Sequence, residues 1–344
     1  MDLSSAIDWA PPAQWQRVTV IDSHTGGEPF RLVVDGLPEI PGDTVLAKRR
    51  YAEVNLDGLR RALMWEPRGH ADMYGGWIGD PVESDSDLSV LFVHNEGFST
   101  MCGHGIIALC KVALDTGIVP QSGVETTLRI DTPAGQVTAV ATHTKGTVTT
   151  VRFLNVPSFV VELDAKVDVD GLGSVEYDLS FGGGFYAYVD APSINLDLTE
   201  MTGVVSAGRA IKRAIVESRD MDHPGDADLG FLYGVIFTGP AEKAGNHSRH
   251  VCVFADGEVD RSPTGTGVSG RLAILRLRDS LAIGEPVTIE SITGSEFEGR
   301  IAATVLIGEN DGIVPEVGGS AHILGRSEFW FDPEDDLGRG FFLR

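Results

Sequence analysis

The chain has 344 residues, 42% of them hydrophobic and 8% aromatic, which is enough for packed cores in two domains of ordinary size. Its formal net charge of −23 repels phosphate backbones and anionic lipid headgroups, so nucleic acid and membrane surfaces are excluded as natural partners. Three cysteines, Cys102, Cys110 and Cys252, form neither a disulfide framework nor the spacing of a zinc site.

Along the chain, Met1 to Ala13 carries no basic segment followed by an apolar run, and no stretch is apolar for long enough to span a bilayer. The cytoplasm is the expected compartment, where thiols stay reduced. Glycine is abundant, with 42 residues, and short apolar runs alternate with turn signals. Arg17–Ile21, Phe30–Val34, Leu88–Val93, Val148–Phe153, Val251–Phe254 and Val287–Ile289 read as strands. Gly103–Asp115 reads as a helix with Ile106, Leu109, Cys110, Ala113 and Leu114 on one stripe. Val205–Glu217 is an amphipathic helix, and Gly265–Asp279 is a third helix, apolar at Val268, Leu272, Leu275 and Leu277. Strand-like and helix-like segments do not alternate regularly, which favours an α+β fold over a doubly wound parallel sheet.

A diverged repeat runs through this order. Gly26-Gly27-Glu28-Pro29-Phe30 opens a strand early in the first half, and Gly182-Gly183-Gly184-Phe185-Tyr186 does so early in the second. Each half later carries a small-residue turn before an apolar helix: Met101-Cys102-Gly103-His104-Gly105, then Pro263-Thr264-Gly265-Thr266-Gly267. The repeat predicts two pseudo-symmetric halves, 1–180 carrying Cys102 and 181–344 carrying Thr264, each with a central helix and with a cleft between them. The last strands are free to return to the first half.

Cys102 stands out because it precedes a glycine turn at a helix start. Free amides and the macrodipole there stabilise a thiolate and lower its pKa, and the same amides hold a carboxylate. Most cysteines are merely buried, and Cys110 in its apolar stripe and Cys252 in its strand fit that description. Thr264 occupies the corresponding place in the second half, with Asp260 close enough along the chain to meet a substrate ammonium. Taken alone, Ser262 or Thr264 reads more simply as a helix cap. Gly265-Thr266-Gly267-Val268-Ser269-Gly270 matches the dinucleotide fingerprint, but the βαβ context and the acidic residue at the end of a following strand that it requires are not evident. Of His24, His70, His94, His104 and His247, only His104 lies beside a candidate nucleophile, and none pairs as a metal ligand.

The blocks Asp22-Ser23-His24-Thr25-Gly26-Gly27-Glu28-Pro29, Met101-Cys102-Gly103-His104-Gly105 and Asp260-Arg261-Ser262-Pro263-Thr264-Gly265-Thr266-Gly267 resemble the three signatures of the proline racemase superfamily. The resemblance runs from Val18 to Arg326. It implies the diaminopimelate-epimerase type of fold, with each half a sheet or barrel around a central helix. Racemases and epimerases of the superfamily carry a second catalytic cysteine where this chain has Thr264. The Cys/Thr pair is instead similar to that of its trans-3-hydroxy-L-proline dehydratase branch. The resemblance then implies Cys102 as proton acceptor, opposite Thr264. Gly103, His104, Gly265 and Thr266 would bind substrate, and Asp260 would contact its amine. The substrate would be a small imino acid, with no cofactor and no metal; a homodimer is compatible with the sequence.

In a trans-3-hydroxy substrate the hydroxyl is cis to the Cα hydrogen, so loss of water would be syn, on the Cys102 face. The thiol formed at Cys102, or a water beside it, is the expected proton donor to the leaving group. The enamine product would tautomerise to Δ1-pyrroline-2-carboxylate. A racemase or epimerase acting on proline or hydroxyproline is the nearest alternative, and a non-catalytic amino-acid-binding protein is the alternative of another class.

Overall fold

The computed structural model describes residues 3–308 and 310–343. Met1 and Asp2, part of the Met1–Ala13 segment read above, lie outside the described residues.

The first part of the chain runs α1 (Ser4–Ile7), β1 (Gln16–Thr25), β2 (Glu28–Asp35), α2 (Val45–Asn55), α3 (Asp57–Met64), β3 (Tyr74–Gly79), β4 (Leu88–His94), β5 (Phe98–Ser99), α4 (Gly103–Asp115), β6 (Glu125–Thr132), β7 (Gly135–Thr144) and β8 (Thr147–Leu154). The second runs β9 (Ser158–Val169), β10 (Gly173–Phe181), β11 (Phe185–Asp190), α5 (Met201–Ser218), β12 (Leu232–Gly239), β13 (Ser248–Phe254), β14 (Glu258–Val259), α6 (Gly265–Arg278), β15 (Val287–Glu290), β16 (Glu296–Ile307), β17 (Asn310–Gly319) and β18 (Ala321–Phe331). All six apolar runs read as strands lie in strands, and the helices at 103 and 265 start where the glycine turns place them.

The two parts repeat one topology. β1 pairs antiparallel with β2, β2 parallel with β3, β3 antiparallel with β4, and β4 parallel with β6. β10, β11, β12, β13 and β15 follow the same sequence of antiparallel and parallel pairings. The glycine clusters matched in the sequence sit at equivalent turns, β1–β2 and β10–β11. Gly26, Gly27 and Gly183 have φ of +62°, +93° and +105°, a region that side chains resist. The fold is α+β, as expected.

Strand pairing corrects the division at 180/181. β9 and β10 precede that point, yet β10 pairs with β11 and β9 pairs with β10 and β17. The second ring thus begins at β9 and closes through β15, β16 and β17 back to β9. The last strand, β18, runs along β1 from Gln16 to Thr25 and completes the first sheet. β17 joins the two rings, pairing with β8 through Val151–Leu154 and with β9 at Ser158 and Phe159.

Each ring encloses one helix. α4 is buried on every side from Gly103 to Leu114, rather than along a single stripe. Even Lys111 is inside, with its ammonium donating to the Val148 carbonyl at 2.7 Å and paired with Asp115 at 2.7 Å. Ile106, Ile107, Leu109 and Val112 are wholly inaccessible, each worth about 1.5–3 kcal/mol relative to exposure. α6 is similarly enclosed from Gly265 to Leu275 except at Arg271, and frays to an exposed Leu277.

Candidate active site

The two enclosed helices meet end to end. A methyl group added at Gly103 would stand 2.6 Å from the Gly265 Cα, and one at Gly265 would stand 2.8 Å from the Gly103 Cα. Only glycine allows this approach, so both N-termini point into one space between the rings. The amides of Gly103, His104, Gly265 and Thr266 belong to first turns and have no carbonyl four residues back within their helices.

Cys102 is the N-cap of α4, and its sulfur accepts from the Gly105 amide at 3.2 Å. His104 Nδ1 lies 3.2 Å from the same sulfur. The helix-start argument predicted a lowered thiol pKa, and the structure corrects it. Burial pushes the thiol well above its usual range, and Asp260 and Glu28 add to the rise; the Gly105 amide opposes it. The correction arises because the opposing ring covers the sulfur, which no local sequence signal reports. Burial also pushes the His104 imidazole down.

Thr264 is not a cap. Its side chain makes no hydrogen bond to α6, and its backbone has φ +66°, ψ +93°, an outlying conformation for a β-branched residue. It is held by a ladder instead. Asp260 accepts from the Ser262 amide at 2.7 Å and from the Thr264 hydroxyl at 2.8 Å, while Ser262 accepts from the Thr264 amide at 3.1 Å. Ser262, the other candidate cap, thereby serves the turn rather than the helix.

Cys102, Gly103, His104, Asp260, Thr264, Gly265 and Thr266 all line one small cavity. Sequence reasoning missed the rest of its wall: Tyr74, Met101, Tyr186, Tyr233, Cys252 and Phe254. Tyr74 is the first residue of β3 and Tyr233 the second of the matched β12, and their hydroxyls lie 3.1 Å apart across the cleft. Tyr74 is also 2.5 Å from the Ser99 hydroxyl, and Tyr186 is 2.7 Å from that of Thr266. Cys252 is buried as read, but it borders the cavity together with Thr264. The cavity is small, about 20 Å³.

Polar contacts close the rings around this space. Arg261 pairs with Asp72 at 2.9 Å, and its amide donates to the fully buried Glu28 at 2.7 Å. Arg50 pairs with Asp228 at 2.5 Å on another stretch of the boundary. Among the described residues no group of three or more His, Cys, Asp or Glu side chains is placed to hold a metal ion. No helix among them is long and apolar enough to cross a membrane.

The sequence matches the family described as Proline racemase over residues 20–342. The chain belongs to the proline racemase family. Within the family, a protein of Colwellia psychrerythraea named trans-3-hydroxy-L-proline dehydratase is 46% identical over 341 residues, 98% of this chain and 96% of the relative. A protein of Burkholderia multivorans named 3-hydroxyproline 2-epimerase is 42% identical over 329 residues, 95% of this chain and 98% of the relative. A crystal structure of a hydroxyproline epimerase from Agrobacterium vitis, with bound trans-4-hydroxy-L-proline, superposes with a TM-score of 0.91 at 29% identity over 96% of each chain. Proline racemase relatives at this similarity carry names for both elimination and epimerisation.

Proposed function

We propose that this chain dehydrates trans-3-hydroxy-L-proline to Δ1-pyrroline-2-carboxylate, as a lyase of the proline racemase family. The observation that carries the reading is the pairing of Cys102 with Thr264 across one cavity. Two-base epimerisation needs a proton donor of suitable strength on each face of Cα. A threonine hydroxyl is far too weak an acid for that, and here it is engaged by Asp260. Dehydration needs only one base at Cα, because the second bond broken is at C3. The curated relatives named trans-3-hydroxy-L-proline dehydratase support the same choice.

In this reading Cys102 takes the Cα proton. Burial beside Asp260 raises the pKa of its thiol, so neighbouring groups must favour the thiolate during proton transfer. The substrate's ammonium supplies the positive charge that favours it, and His104 at 3.2 Å is placed to accept the thiol proton. Asp260 holds the amine. The amides of Gly103, His104, Gly265 and Thr266 hold the carboxylate, onto which charge spreads as the Cα–H bond breaks. Thr264 positions the ring from the other face. The small imino acid is the partner this site fits.

The test is incubation of purified protein with trans-3-hydroxy-L-proline, following the cyclic imine with o-aminobenzaldehyde. Imine formation without an added cofactor supports the reading. Recovery of the 2-epimer with no imine would overturn it in favour of an epimerase.

A further inference from the structure

Loss of water from C3 requires a proton for the departing oxygen, since free hydroxide is a poor leaving group. The stereochemistry is demanding as well. The trans-3-hydroxyl lies on the same face as the Cα hydrogen, so the acid must share the Cys102 side of the cavity. Thr264 is excluded by its position on the far face. Tyr186 is engaged with Thr266 of the second ring. His104 lies against the thiol as an acceptor.

Tyr74 meets every requirement. It lines the cavity with Cys102, and its ring packs on His104, whose Nδ1 lies 3.2 Å from the Cys102 sulfur. Its ring packs edge-on against His104, with centroids 4.8 Å apart, and stacks on His94 at 5.4 Å, which fixes the direction of the hydroxyl. Two more hydroxyls surround its oxygen, Ser99 at 2.5 Å and Tyr233 at 3.1 Å. Such a cluster is costly to bury unless its members satisfy one another. A substrate hydroxyl entering there joins an existing hydroxyl network instead of displacing an apolar wall.

We propose that Tyr74 is the general acid that protonates the departing C3 hydroxyl, with Ser99 and Tyr233 stabilising the charge left on its oxygen. This rests on the dehydratase reading above and replaces the Cys102 thiol, or a water beside it, as the proton donor. The Cα–H bond breaks and its proton goes to the Cys102 thiolate. The electron pair forms the Cα–C3 double bond, and the C3–O bond breaks with its own pair. The oxygen takes the Tyr74 proton and leaves as water. Cys102 is then a thiol and Tyr74 a phenolate on the wall of one cavity. A thiol is ordinarily a stronger acid than a phenol, so return of the proton from Cys102 to Tyr74 resets both groups with no net proton from solvent. Burial keeps the Tyr74 phenol protonated well into the alkaline range, as a donor must be.

The test compares two leaving groups in Tyr74→Phe, which keeps the ring contacts and deletes the hydroxyl. Trans-3-hydroxy-L-proline needs an acid; trans-3-chloro-L-proline does not, because chloride leaves unprotonated. With folding checked by circular dichroism, the variant should lose about 10²-fold or more in kcat on the hydroxy substrate. On the chloro substrate it should lose no more than about threefold. Equal losses on both substrates would overturn the proposal by making Tyr74 structural, and so would an unchanged rate on the hydroxy substrate. Tyr186→Phe should lower the two rates alike; a leaving-group dependence there would move the acid to Tyr186 and overturn it too. As a check free of substitutions, the wild-type solvent isotope effect on kcat should be larger for the hydroxy than for the chloro substrate. A wild type that forms no imine from the hydroxy substrate overturns the dehydratase reading itself, an outcome distinct from the others.

Discussion

Gly103 and Gly265 face each other so closely that a methyl on either would stand 2.6–2.8 Å from the other's Cα. This contact aims two helix N-termini at one ligand. Gly103→Ala should push the rings apart, lowering stability by about 1–3 kcal/mol and kcat/KM far more, because both sets of amides shift together. Gly58→Ala, where nothing lies within 4 Å in α3, should keep full activity and stability. Thermal melts and kcat/KM on both variants check this. Full activity in Gly103→Ala would show that the contact does not set the site.

Cys102→Ser should keep the fold, since a serine oxygen can still accept from the Gly105 amide. Turnover should fall by about 10³-fold or more, because a hydroxyl is no base near neutral pH. In the wild type, alkylation of Cys102 should rise with pH and reach half-maximum above the ordinary thiol value, the direction set by its burial beside Asp260 and Glu28. Mass-spectrometric mapping of the alkylated peptide at several pH values is the measurement. A midpoint below neutrality would contradict the environment described for the thiol.

Both glycine turns and the helices behind them were legible because turn residues and apolar runs are local signals. The Gly26–Phe30 and Gly182–Tyr186 repeat was legible for the same reason. The return of β18 to β1 was left open, since pairing between Gln16 and Phe331 leaves no mark in either segment alone. The boundary at 180/181 failed because β9 and β10 carry few glycines and alternate buried with exposed residues, which reveals a strand but not its partner. Tyr74 and Tyr233 were missed because an isolated tyrosine at a strand start looks like core. Their only marks were the glycines that follow each, Gly75 and Gly234, which face backbone carbonyls at 2.5 and 2.7 Å from an added Cβ. The thiol's raised pKa was missed because helix-start amides are local, whereas burial by the opposite ring is not.

Glu28 is wholly buried, one of its oxygens has no partner, and burial near Asp260 holds its carboxyl well above the usual range. The folded state therefore keeps a proton that the unfolded chain releases above about pH 4.5. Its contribution to stability should fall as pH rises from there to the raised folded value. Glu28→Gln removes that loss while keeping an oxygen for the Arg261 amide. The variant should match the wild type near pH 4.5 and melt about 2–4 °C higher at pH 8 for each kcal/mol recovered. A lower melting temperature than wild type at pH 8 would mean that Glu28 is ionised in the folded protein.

Asp260→Asn should raise the KM for trans-3-hydroxy-L-proline about tenfold or more, the expected cost of a lost charged hydrogen bond to the amine. The turn should suffer less, because an amide oxygen can still accept from the Ser262 amide. Steady-state kinetics alongside a thermal melt separate the two effects. An unchanged KM with a large drop in melting temperature would make Asp260 a structural brace for Thr264 and nothing more.

The central claim is that a single base at Cys102, with a threonine opposite, limits this site to elimination. Thr264→Cys tests it most directly. The substitution removes β-branching at a φ of +66° and places a second thiol at the start of α6, so the protein must be kept reduced because Cys252 is adjacent. Wild type and variant are incubated with L-proline and trans-4-hydroxy-L-proline in heavy water, following the Cα proton by NMR and the optical rotation. Neither substrate has a leaving group at C3. The account predicts no epimerisation by the wild type, and Cα exchange with formation of the second epimer by the variant. Efficient epimerisation of either substrate by the wild type would contradict it.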